Sequence, residues 1–312
     1  MGRFPGGKRF AFTIIDDTDV ATVENVRPIY RLLESLGMHT TKTIWPVACP
    51  EGSAFFSRSK TLEDPGYLDF VMDLAARGFE ITWHGATMES SRRERTVEAL
   101  ERFKTLFGSY PRVHAGHAEN QENLYWGADR VDDPVLKMIL RRMSSRAEGY
   151  YQGHDPRSPY FWGDLCAERF RYVRNLTFSR MNLASINPSM PYRDERRPFG
   201  ALWFSSSDAE DVREFNQLLR PSEQERLERS GGFCIVATHL AKGFVRDGEV
   251  DDTTVRLLRE LSRRDGWFVP AGRLLDFLAD QRADLGLPRT EWWWMQWRWA
   301  WDIAVRKVRP AR

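Results

Sequence analysis

Short β-branched or aromatic runs alternate with helical periods along this chain, in the order strand then helix, and no other sequence feature constrains the fold as tightly. Residues 10–15 form the first such run. It stops at Asp16-Asp17-Thr18-Asp19 and leads into a helical pattern over 23–36 that Gly37 ends. A second strand is predicted over 40–45, a helix over 67–77 closed by Gly78, and a third strand over 79–83 terminated by His84-Gly85. A charged helix over 91–107 closed by Gly108 and a short strand over 111–114 follow. Near the far end, 208–219 and 222–229 read as helices and 233–238 as an apolar strand ending at His239. A helix over 253–264, a strand over 267–269 and a helix over 273–283 complete the series. Repeated βα units of one polarity predict an α/β fold with a parallel sheet and outer helices, open or rolled into a barrel.

A chain of 312 residues can bury one substantial core. Its 46 basic and 44 acidic side chains leave a net charge of +2, so there is no strong field to attract nucleic acid, and none is expected as a partner. Cys49, Cys166 and Cys234 lack the paired spacing of a structural zinc site and read as reduced core thiols, as expected of a cytoplasmic protein. No segment approaches the roughly 20 apolar residues of a membrane span. Between about 120 and 200 the chain is rich in Tyr, Trp, Arg, Asn and Pro, with poor periodicity apart from a helix over 134–146.

In parallel βα folds ligands and catalytic groups collect at the C-terminal ends of the strands. Asp16-Asp17, His84, His114 or His117, and His239 all fall at such ends. Thr18 and Asp19 have a second reading, as caps of the helix that follows. The adjacent pair Asp16-Asp17 suits one metal ligand beside one general base. His84 precedes a glycine that permits a tight loop, and His239 ends an apolar strand.

These residues resemble the polysaccharide deacetylase family, the NodB-homology or carbohydrate esterase family 4 group, whose members fold as a distorted (β/α) barrel of the glycoside hydrolase/deacetylase type. The family's first motif, T-F-D-D, is similar to Thr13-Ile-Ile-Asp16-Asp17 with one residue inserted, and H-[ST]-x-x-H to His84-Gly85-Ala86-Thr87-Met88. The closing histidine motif matches Cys234-Ile-Val-Ala-Thr-His239-Leu240. The resemblance implies Asp16 as general base, Asp17 and His84 as ligands of a divalent metal, and His239 as general acid. Zinc is the expected metal, with cobalt, nickel or manganese as alternatives. Met88 stands where the family has its second metal histidine, and a thioether is a poor ligand for such an ion. His117, or in competition His114, from His114-Ala-Gly-His117 is the expected replacement.

On this reading residues 1–283 form the barrel, with an irregular aromatic-rich insertion at about 120–200, and 284–312 form a Trp-rich basic tail. The expected activity is metal-dependent removal of an acyl group, acetyl first, from the nitrogen of an amino sugar or glycoconjugate. The alternatives are a hydrolase of a non-sugar linear amide and a metal-free carbohydrate-binding or scaffolding relative. Aromatic side chains stack on sugar rings and carboxamides read hydroxyls, so His114, Asn120, Trp126, Trp162 and Asp164 are candidate substrate contacts, and most of the remaining aromatics are expected in the core. Six of the twelve tryptophans lie within 292–301, ahead of Arg306, Lys307, Arg309 and Arg312. Such a tail fits either an interfacial helix on the inner membrane face or a terminal helix packed on the barrel or on a second subunit.

Overall fold

The computed structural model describes residues 3–56 and 58–308. In chain order the elements begin with β1 (Phe10–Asp16), α1 (Val23–Ser35), β2 (Thr41–Ile44), α2 (Pro65–Ala76), β3 (Glu80–Trp83), α3 (Arg93–Phe107) and β4 (Val113–His114). Then come α4 (Pro134–Met143), α5 (Gly163–Arg169), β5 (Tyr172–Phe178), β6 (Leu202–Ala209), α6 (Val212–Leu218), α7 (Pro221–Ser230) and β7 (Phe233–Thr238). A small hairpin of β8 (Val245–Arg246) and β9 (Glu249–Val250) precedes α8 (Asp252–Ser262), β10 (Gly266–Phe268), α9 (Ala271–Asp280) and α10 (Arg289–Val308).

Strands β1 to β7 follow one another around the sheet, all parallel, and β1 pairs with β7 from Ala11 opposite Phe233 to Asp16 opposite Thr238. That pairing closes a seven-stranded barrel. β10 pairs with Phe10, Ala11 and Phe12 of β1, whereas β1 meets β2 only at Ile15 and Asp16. The late strand thus takes the start of the β1 edge that β2 uses further along, and this distorts the barrel, as the resemblance implied.

Strands buried on both faces read as continuous apolar runs, and β1 shows how the two faces divide. Phe10, Phe12 and Ile14 pack outward with Val26, Ile29 and Tyr30 of α1, while Ala11 and Ile15, on the opposite face of the strand, belong to a second cluster. Each large side chain so buried contributes roughly 1.5–3 kcal/mol. α1 starts at a reciprocal cap: Thr22 Oγ1 accepts from Asn25 N, and Asn25 Oδ1 accepts from Thr22 N. α3 ends at Gly108, whose φ of 76° suits a residue without a Cβ.

Two strands lie where no strand is expected. β5 sits inside the stretch read as an irregular insertion, and β6 takes Asp208 and Ala209 from a segment read as helix. Arg174, Asn175 and Ser205-Ser206-Ser207 interrupt their apolar pattern.

The Trp-rich segment forms α10 and docks on the barrel through Trp292, Met295, Gln296 and Trp299, a seam at helical spacing. Trp292 Nε1 donates to Asp132 Oδ2 at 2.6 Å, and Ser179 N donates to Asp302 Oδ2 at 3.0 Å. Trp293, Trp294 and Trp301 remain exposed, as do Val135, Met138, Ile139 and Met143 of α4. Among the described residues no helix is long and apolar enough to cross a membrane. Arg309 and Arg312 of the basic end lie outside the described residues.

One buried ion pair joins β1 to β2. Asp16 and Lys42 have no exposed side-chain surface and meet at 2.8 Å. Tyr30 Oη and Leu240 N also donate to the Asp16 carboxylate, at 2.8 and 2.9 Å. Lys42→Met is expected to lose about 3–5 kcal/mol in urea denaturation, because the carboxylate is left buried without a counter-charge. Adding Asp16→Asn should recover most of that loss.

Candidate functional site

Successive side chains of a strand point to opposite faces, and this separates the two neighbouring aspartates at the end of β1. Asp16 follows the outward set, towards α1, where Lys42, Tyr30 and Leu240 N engage both its oxygens. The residue expected to serve as base therefore does not reach the barrel mouth. Asp17 follows the inward set and meets Arg174 of β5, with Nη1 to Oδ2 at 2.9 Å, while Arg174 Nη2 donates to Gly116 O at 3.2 Å.

The chain then turns. Thr18 N donates to Thr43 Oγ1 at 3.0 Å, Ala21 N donates to Thr18 O at 3.0 Å, and Val20 takes a φ of +55°, costly for a β-branched residue. This strained turn carries Asp19 over the barrel mouth into the midst of three histidines. Asp19 Oδ1 is 3.3 Å from His84 Nε2, and Oδ2 is 3.4 Å from His117 Nε2 and 3.2 Å from His239 Nε2. The carboxylate facing the histidines is thus Asp19, whereas Asp17, the expected metal ligand, stands 3.6 Å from His84 Nδ1 and pairs with the guanidinium.

Each of the three imidazoles is held from behind. His84 Nδ1 donates to Ala115 O, and His239 Nδ1 donates to Glu210 O at 3.0 Å. A carbonyl oxygen can only accept, so these ring nitrogens carry the hydrogens. His117 Nδ1 faces Asn120 Oδ1 at 2.8 Å. The Asn120 amide is oriented by its own NH2 group, which donates to Thr87 O, Glu89 O and Glu122 Oε1. Glu122 in turn accepts from Ser91 N, and burial raises its pKa to about 7. Trp45 packs against His84 and His117, with ring centroids 4.8 and 5.6 Å away, and Gly85 admits it: a Cβ there would stand 2.8 Å from the indole.

With Nδ1 protonated, every Nε2 presents a lone pair, and so does the carboxylate. Four acceptors facing one another at such distances require a positive charge between them, from added protons or from a metal ion. Without a metal, protons supply it. Burial would raise the Asp19 carboxyl, but hydrogen bonds from His117 and His239 and the electrostatic influence of His84 outweigh burial and hold it far below the usual range. Burial would lower His239, yet the Asp19 hydrogen bond and the charges of Asp17, Asp19 and Glu210 raise it to about 9. His117 is likewise raised by Asp19 against burial.

Among the described residues no three or more His, Cys, Asp or Glu side chains are closed around one point as a finished metal site would have them. Asp19 Oδ1 and His84 Nε2 are nevertheless buried with no hydrogen-bond partner. In a tetrahedral zinc site with bonds of about 2.0–2.1 Å, neighbouring donors stand about 3.3–3.4 Å apart, which matches the spacings round Asp19. Donor type and unpartnered lone pairs are those a divalent ion would take, and the match in spacing extends only to the contacts made by Asp19.

The other candidates are scattered. His114 is wedged between Trp162 and Phe170, and burial together with the charges of His84 and Arg174 lowers its pKa to about 3. Trp162 is buried, its Nε1 donating to Glu122 O at 2.6 Å, so it is a core residue and not a sugar platform. Asp164 pairs with Arg93 at 2.6 Å on the outer surface, away from the histidines. Asn120 lies behind His117, and Trp126 lines a separate cavity. Asp19 and Arg174 carry weight that the sequence reading did not give them. The Thr22–Asn25 cap could have released Asp19 from the capping role. Arg174, a lone charge in the strand Tyr172–Phe178, could have drawn attention to β5.

No family model and no curated protein matches the sequence. Among solved structures, the chain is similar to a protein from Mycobacterium smegmatis assigned as a polysaccharide deacetylase, with 12% identity and a TM-score of 0.54 over 92% of this chain and 96% of that one. It is also similar to one so assigned from Pseudomonas aeruginosa PAO1, with 12% identity and a TM-score of 0.50 over 89% of this chain and 94% of that one. At this identity the likeness is one of architecture: the chain has the (β/α)-barrel fold of these proteins over nearly its whole length.

Proposed function

We propose that this chain is a metal-dependent hydrolase that removes an acyl group, acetyl in the first instance, from the nitrogen of an amino sugar or glycoconjugate. The observation that carries the reading is the Asp19 carboxylate faced by three imidazoles, each anchored through Nδ1, at the mouth of a barrel with the deacetylase fold. Asp19, His84 and His117 would hold the ion. Two imidazoles and a carboxylate suit zinc best, with cobalt, nickel or manganese as alternatives. Such an ion lowers the pKa of bound water from about 16 towards about 7 and polarises the acyl oxygen.

The remaining steps belong to this chain's own side chains. Asp17, held by Arg174, accepts the proton of the attacking water, the role that Asp16 cannot fill from the far side of the strand. His239, with Nδ1 fixed on Glu210 O and Nε2 facing the same point, donates a proton to the departing amine. The acyl group leaves as a carboxylate. A non-sugar linear amide would use the same groups, and the support for a sugar is the aromatic wall of a separate cavity, Trp126, Tyr150 and Tyr151.

Metal analysis and acetate release from N-acetylglucosamine oligosaccharides test the reading. The purified chain should take up one divalent ion, and Asp19→Ala and His84→Ala should lose it. Asn120→Ala, which frees the His117 ring, should weaken metal binding about 10- to 100-fold. Asp17→Asn should keep the metal and lower kcat by about 10²- to 10⁴-fold. If no divalent ion binds even after reconstitution, the hydrolase reading fails and a carbohydrate-binding relative takes its place.

The same proposal puts the chain in the cytoplasm, with three buried unpaired cysteines in support, and on the inner membrane face through α10. The support for membrane contact is the apolar surface of Trp293, Trp294 and Trp301 together with Met138 and Ile139 of α4. The full chain should float with anionic liposomes, and Trp293→Ser/Trp294→Ser/Trp301→Ser should not. Equal flotation of the two would overturn membrane contact.

A further inference from the structure

Thr18 lies between Asp17 and Asp19, and its N, O and Oγ1 are all engaged. Its N donates to Thr43 Oγ1, and its O accepts from Ser59 Oγ and Ala21 N, each at 3.0 Å. Its Oγ1 shares a hydrogen bond of 2.9 Å with Tyr67 Oη of α2. Thr18 and Tyr67 are both buried, so no water competes for that bond. The strain at Val20, with φ +55°, means that the turn would relax if these anchors were cut.

Behind Tyr67 stands the ion pair of Asp16 and Lys42. Lys42 Nζ lies between two phenol rings, 5.6 Å from the Tyr30 centroid and 5.8 Å from that of Tyr67. Burial would lower the ammonium pKa, but Asp16 and Tyr67 raise it. Asp16 Oδ1 accepts from Leu240 N, the amide just after His239, while Asp17 N donates to Thr238 O just before it. The carboxylate thus grips the end of β7 at His239, and the cation beside it packs on the tyrosine that grips the turn. A buried ion pair adds little stability over an apolar pair of the same volume, so stability alone does not account for this one. A metal or catalytic constellation, by contrast, must be held to within about 0.5 Å by the groups behind it.

We infer that Asp16 and Tyr67 are positioning residues of the proposed hydrolase: Asp16 fixes His239 through Leu240 N, Tyr67 fixes Asp17 and Asp19 through Thr18, and Lys42 keeps the two in register. The inference rests on the hydrolase reading, and it gives a use to the aspartate that points away from the barrel mouth.

Divalent-ion affinity, measured by competition with a chelator, and the visible spectrum of the cobalt(II) form test it, beside urea denaturation. Tyr67→Phe removes one hydroxyl and should weaken ion binding about tenfold or more and alter the cobalt spectrum, in a chain that urea denaturation shows to be fully folded. Thr18→Val cuts the same bond from the other side, so it should match Tyr67→Phe, and the double variant should be no worse than either. Asp16→Asn/Lys42→Met removes the charged pair as a unit; at saturating metal its kcat should fall about 10- to 100-fold with KM little changed. If that variant does not fold, the Tyr67 and Thr18 variants carry the test. Wild-type affinity and cobalt spectrum in those two, or additive losses when they are combined, would overturn the positioning role. Weakened ion binding in the variants of a chain that releases no acetate would leave the role standing and remove the hydrolase reading, whereas a wild type that takes up no ion would remove both.

Discussion

Three carboxylates within four residues, in surroundings nearly free of water, cannot all persist as anions unless each has its own positive partner. The pleat of β1 and the turn after it distribute them. Asp16 is sent outward to Lys42, Asp17 inward to Arg174, and Asp19 across the mouth to the histidines. Because those partners come from β2, β5 and the loops after β3, β4 and β7, neutralising the end of β1 also ties the rim of the barrel together.

The βα alternation and the gathering of titratable groups at strand ends were legible, because core-facing periodicity is imposed residue by residue. The two strands that escaped notice are those with polar residues inside the apolar run. Arg174 on β5 meets Asp17, and on β6 Ser205 accepts from Asn187 Nδ2 while Ser207 donates to Arg180 O.

The site was legible as a set of positions and less so as a set of roles. Two adjacent aspartates look interchangeable in sequence, and only the phase of the strand says which one faces the mouth. That phase was already present in β1, where Phe10, Phe12 and Ile14 go outward and Asp16 follows them. Asp19 reads equally well as a helix cap, yet Thr22 holds that place. Trp162 and Asp164 could not be sorted into core and surface because their partners, Glu122 and Arg93, are 40 and 71 residues away in the chain.

The three histidines also differ in what their orientation asks of heredity. His84 and His239 are steered by the main-chain oxygens of Ala115 and Glu210, which any amino acid at those positions would supply. His117 depends on the Asn120 amide, whose own setting depends on Glu122. Drift at 115 or 210 leaves the rings aimed, whereas drift at 120 turns one loose. Two of the three anchors are therefore written in the backbone and leave no motif, so a barrel of this kind can retain its centre while its sequence diverges widely.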